Sequence, residues 1–233
     1  TADLAKLDTA QLRAITTAAI GGLDSAQVAS LSTLQVSSLT DGQVAGLSAT
    51  QVKAIETADV AAMTTTQLQS ISSAAIAQLS TAQVAALTTA QIDDLTTAQV
   101  KALTTAQMKA LSSEQVAQLT TAQVNALSGV QVAALDAGDL AGLSAAKVQA
   151  FTTAAVAAMT TAQVAALDTA QASGLTTAQV RALTTTQVAA LTTTQAEKLG
   201  TAQLAALTST QVKALETADL AKLDTAQLRA ITT

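Results

Sequence analysis

Residues 87–103 read LTTAQIDDLTTAQVKAL, and this stretch carries the period on which the whole chain is built. Leu87, Leu95 and Leu103 stand eight apart, and the same slot holds a large apolar residue at all 29 positions from Leu7 to Ile231. It departs from Leu or Ile only at Met63, Phe151 and Met159. A second apolar series, five residues after the first, includes Ile92 and Val100 and shrinks to Ala only at Ala172 and Ala196. The modal unit is LTTAQVAA. Self-similarity at a fixed period marks a repeat architecture.

With the Leu slot numbered seven, the following residue, position zero, is Thr, Ser or Asp in 26 of 29 octads. The exceptions are Glu56, Gly200 and Glu216. Position three is Gln in 21 octads and Asp at Asp3, Asp59, Asp139 and Asp219. Ser, Thr or Asp followed three residues later by Gln is the spacing of a capping box, in which each side chain satisfies an orphan N–H of the other residue. The apolar residues on either side, such as Leu87 and Ile92, fall at the spacing of a hydrophobic staple. Both signals predict one short helix per octad.

One continuous helix is excluded by geometry. Eight residues at about 100° each advance roughly 800°, so the apolar pair would drift about 80° around the axis per repeat. No straight partner follows such a stripe, and the period is far from that of coiled coils. Thr and Val favour strand, which keeps a β-solenoid as the alternative. The five-plus-three spacing breaks the two-residue alternation of a strand, however, and abundant Ala suits helix better. The reading is therefore all-α: a solenoid of about 29 short capped helices, with three or four octads per turn. Helices this short are unstable alone, since about 12–15 residues are needed for even marginal stability. Neighbouring octads must supply the rest. The bend is expected at the position-zero residue, and the small residues at positions two and six are expected where successive backbones approach.

A longer period lies above the octad. Residues 1–17, TADLAKLDTAQLRAITT, recur identically as 217–233. Sixteen residues after Asp3, Asp59 and Asp139 the box residue becomes Ala19, Ala75 and Ala155, and twelve residues after Asp3, Asp59, Asp139 and Asp219 stand Ile15, Ile71, Phe151 and Ile231. Residues 1–233 thus read as a single continuous array with blocks starting near 1, 57, 137 and 217. We expect it to be a window cut from a longer protein.

The chain holds no Pro, Cys, His, Trp or Tyr and one Phe, with 16 Asp and Glu against 11 Lys and Arg. An acidic balance disfavours nucleic acid, whose binding rests on clustered Lys and Arg facing phosphates. No run of about 18 apolar residues is present, so no membrane insertion is expected within this segment. Without His or Cys, and with no evident base beside the hydroxyls, no catalytic residue can be named, and no enzyme is expected. Asp136 with Asp139, and Glu56 with Asp59, place two acids in one helical first turn. Favourable charge at a helix N-terminus explains them better than a metal site does, so no metal ligand is assigned. Asp93 and Asp94, with Lys101 eight residues after Asp93, read as an exposed charge ladder. Ten of the eleven basic residues sit at positions five or six, as on a solvated face. Lys147, at a box position, has no account from sequence. Met63, Met108 and Met159 read as core fillers.

The LTTAQVAA-type unit resembles octad arrays of very large, repetitive proteobacterial proteins, identified as adhesin-like or haem-utilisation proteins. The similarity covers essentially the whole chain. It implies a bacterial cell-surface or secreted setting. Haem and other cofactors are not expected: with no His, Cys or Tyr, and Met only in apolar slots, axial ligation has no good candidate. The expected function is structural, an extracellular fibre, stalk or filament whose partner is itself, end to end or laterally. The alternative is a repeat scaffold or adhesin binding a protein, glycan or ice surface; for ice, stacked Thr pairs are the attraction and the Asp and Ser among them the objection.

Overall fold

A computed structural model describes residues 4–231; Asp3 lies outside the described residues. Among these the chain forms 28 α-helices of four to six residues, preceded by a 3₁₀ turn at Leu4–Lys6, and no strand. The β-solenoid alternative is thereby removed. Each helix starts where the box predicts. Thr88 is extended (φ −70°, ψ 159°), its hydroxyl accepts the Gln91 N–H, and the Gln91 side chain accepts the Thr88 N–H. The same reciprocal box opens the helices Thr9–Ala14, Thr97–Ala102, Thr161–Ala166 and Thr225–Ala230, among others.

The bend is wider than the sequence suggests. Leu87, the last residue of its octad, is itself extended (φ −58°, ψ 135°), so two consecutive extended residues separate one helix from the next. Both lie in ordinary β-type backbone, and no described residue has a positive φ. Neither Gly nor Pro is needed at the corner. This explains how the 28 corners between the described elements are turned in a chain with nine glycines and no proline.

The chain divides into two units, Thr1–Gln118 and Leu119–Thr233. Within each, a helix packs on the helix three further along. In the first unit Asp41–Ala45 meets Thr65–Ser70 and Thr57–Ala62 meets Thr81–Ala86; in the second Gly129–Ala134 meets Thr153–Ala158. Each unit is thus a coil of short helices. Its core is made of the two apolar slots, such as Val84, Leu87, Ile92 and Leu95 in the first unit, all buried. Met63, Met108, Phe151 and Met159 are buried in the same slots. Packing against neighbours removes this surface from water, and it replaces the stability that an isolated six-residue helix lacks.

Close approach between turns is tightest at one of the two positions expected. Position one of an octad meets position six of the octad 29 residues on. A Cβ added to Gly46 would lie 2.5 Å from Thr17 Cγ2; one on Gly129, 2.7 Å from Ala158 Cβ; one on Gly174, 3.4 Å from Ala145 Cβ. Position two instead faces outward. Gly138 would meet nothing within 4 Å, and Leu34 and Val130 are 69% and 67% exposed there. Position two is the looser of the two, although the Ala154 carbonyl would lie 3.2 Å from a Cβ on Gly129.

This difference separates two glycine substitutions. Gly129→Val should destabilise the protein by about 1–3 kcal/mol through overpacking. Gly138→Ala, in open space within a helix, should stabilise it by about 0.4–1 kcal/mol. Urea unfolding midpoints of the two variants check both signs.

Candidate functional site

The most specific polar structure in the molecule is the seam between successive turns, and it is built by the box glutamines. Gln99 shows the pattern. Its backbone N–H donates to Thr96 Oγ1 at 3.2 Å, and its Oε1 accepts the Thr96 N–H at 3.0 Å. That fixes the amide so that Nε2 points away from its own helix. Nε2 then donates to the carbonyls of Leu68 and Ile71, both at 2.8 Å, with Gln69 O at 3.3 Å. Leu68 and Ile71 lie 31 and 28 residues earlier, at the end of the helix Thr65–Ser70 in the turn below.

The register repeats throughout each unit. In the first, Gln43 reaches Leu12 and Ile15, Gln67 reaches Val36 and Leu39, and Gln107 reaches Ile76 and Leu79. In the second, Gln163 reaches Val132 and Leu135, and Gln187 reaches Val156 and Met159. The last carbonyls of a helix have no partner within it. Here they receive a donor from the next turn, so one side chain starts its own helix and caps another. Separations of 28 and 31 residues set the turn between three and four octads. Gln11 has no such bond; it is exposed and makes only its box.

A second, exposed set of contacts runs 25 residues forward from position five to the position-six carbonyl. It comprises Gln69 to Asp94 O at 2.6 Å, Asn125 to Ala150 O at 2.9 Å and Gln149 to Gly174 O at 3.1 Å. Sequence reasoning found the box but missed the seam. One signal was present: a capping box accepts Glu as readily as Gln, yet no octad has Glu at position three. Only the amide supplies a donor as well as an acceptor.

The acid pairs do not sit as pairs. Glu56 and Asp136 are exposed and cap no N–H, whereas Asp59 and Asp139 are buried in the seam. Asp219 is also buried; its carboxylate accepts the Glu216 N–H at 3.4 Å. Lys147 is half-buried, with its backbone N–H capped by Ser144 Oγ at 3.4 Å. It retains a donor at the box position but no acceptor. Asp93, Asp94 and Lys101 are exposed, as expected of a surface ladder. Lys198 pairs with Glu197 at 3.2 Å on the surface, an interaction of small worth. Open recesses lie between turns, one bounded by Arg13, Asp41, Thr64 and Gln67. Among the described residues no group of three or more His, Cys, Asp or Glu comes together, and no helix is long and apolar enough to cross a membrane.

Short capped helices coiled on two apolar slots, with a glutamine seam between turns, define an octapeptide-repeat α-solenoid. The chain belongs to the ALTTAQ repeat family, which matches residues 1–33, 52–89, 85–113, 92–129, 105–137, 132–169 and 164–201. No curated protein matches it.

Replacing Gln99 tests the seam. Gln99→Glu keeps the box acceptor but removes the donor and faces two carbonyls with a carboxylate; it should cost about 1–3 kcal/mol or more. Gln11→Glu, where there is no seam bond, should change stability by less than about 0.5 kcal/mol. Equal losses in thermal unfolding would show that Gln acts through the box alone.

Proposed function

We propose that this protein is a structural element: a segment of an extracellular fibre, stalk or filament, with no catalytic role. The observation that supports it most is the repetition of the glutamine seam in one register. Each added octad brings the same two apolar slots, and in most octads the same box and the same donor to the turn below. Length then grows without a change in local structure, and stiffness is uniform along the array. The outer surface is small, polar and almost without aromatic residues, which suits a spacer better than a recognition face.

Self-association, end to end or side to side, belongs to this reading, because wherever such an array ends its last turn offers apolar slots and seam groups to a second copy. An acidic chain gives nucleic acid no basic face. The ice alternative is less well supported. Position-zero hydroxyls are engaged as helix caps, as at Thr96 and Thr176, rather than presented as a free array.

Electron microscopy of the purified array, beside variants lengthened or shortened by one ten-octad block, tests the proposal. Rods or filaments whose length follows octad number are expected. Compact particles of constant size would sink it.

A further inference from the structure

At Asp59 the seam has the opposite chemistry from its neighbours. Gln51, one octad earlier, donates to Ile20 and Leu23 at 3.0 and 2.7 Å. Gln67, one octad later, donates to Val36 and Leu39 at 3.1 and 2.6 Å. The register between them sets Asp59 against the carbonyls of Val28 and Leu31. Asp cannot donate as a carboxylate, and it is one methylene shorter than Gln. Where Gln brings a donor to the two carbonyls of the turn below, Asp59 brings only an acceptor.

Asp59 is 5% exposed, and among the described residues no hydrogen bond to its carboxylate is formed, not even the box bond from Glu56. Among the described residues, polar side-chain atoms sealed from solvent all have partners, so the Asp59 oxygens keep a narrow contact with water. The arrangement recurs in the second unit. Asp219, 1% exposed, stands between Gln211, which reaches Val180 and Leu183, and Gln227, which reaches Leu199. Its register partners are the carbonyls of Val188 and Leu191. Its bond to the Glu216 N–H still leaves acceptor capacity unused. A buried carboxylate facing carbonyls is unfavourable unless something positive joins them.

We propose that Asp59 and Asp219 each complete a calcium site in the seam, with the carboxylate, the two facing carbonyls and water as ligands. Calcium is the cation that fits this donor set: it takes mixed carboxylate, carbonyl and water oxygens in irregular geometry, whereas magnesium demands a near-ideal octahedron. One carboxylate per site gives weak binding, about 10⁻⁴–10⁻³ M, the range of extracellular modules. The bound ion takes the place of the missing amide, tying Asp59 to the turn below. The site rests on seam chemistry alone, so it stands or falls separately from the fibre proposal.

The test is calorimetric titration of the full chain, first stripped with chelator, using calcium, magnesium and sodium chlorides as separate titrants. D59Q, D219Q and the double variant are titrated in parallel. Each substitution installs the residue found in most octads, so folding should be retained, and circular dichroism checks this. Saturable calcium binding is expected, with one equivalent lost per substitution and a calcium-dependent rise in melting temperature reduced stepwise. The proposal is overturned by no saturable binding up to about 10 mM calcium. It is equally overturned by a stoichiometry that the double variant leaves unchanged, or by binding of magnesium or sodium in place of calcium.

Discussion

A helix of six residues leaves most of its own backbone groups unpaired, and this protein is a chain of such helices. The first four N–H groups and last four carbonyls of any α-helix lack partners inside it, so at this length the ends are nearly the whole element. The seam glutamine answers both ends at once. Its backbone N–H and Oε1 close the box at the start of its own helix, while Nε2 caps the end of a helix 28–31 residues earlier. Because one amide performs both roles, the octad length is constrained twice. A seven- or nine-residue unit would displace the donor from its carbonyls and move the apolar slots off the core together. That coupling accounts for a register that never slips.

Much of this architecture was legible in the residues. The apolar spacing, the box and the staple all act within a few residues of one another, and they predict helix position closely. The coil was less legible. The partner of each Nε2 is a backbone carbonyl, a group present in every residue, so it leaves no mark at the position it occupies. The only trace is on the donor side, in the consistent choice of Gln over Glu. Composition was also ambiguous about small residues. Gly138 and Gly46 look alike in sequence, yet one faces open space and the other packs beneath Thr17. Smallness serves helix propensity at one position and close approach at the other, and counting residue types cannot separate them.

The acid pairs teach a similar lesson. Glu56 and Asp59 share one helical turn, and from sequence both read as favourable charge at a helix N-terminus. The structure sends one to solvent and the other into the seam, because position zero lies at the outer corner and position three faces the turn below. Residues three apart on a helix are neighbours. On a helix of one and a half turns between two coils, they also belong to different environments.

The octads that lack Gln divide its two roles between them. Ala75 and Ala155 keep neither side-chain bond, although Ser72 and Thr152 still cap their backbone N–H groups. Lys147 keeps a donor and loses the acceptor; Asp219 keeps the acceptor and loses the donor. A globular core would register each loss widely, but in a solenoid each repeat depends mainly on its nearest neighbours. The cost of one altered seam is therefore contained by intact seams on either side. Such substitutions can persist at fixed offsets without threatening the fold. They give an otherwise uniform array a few positions whose chemistry differs from the rest, and these are the positions at which anything other than length can be encoded.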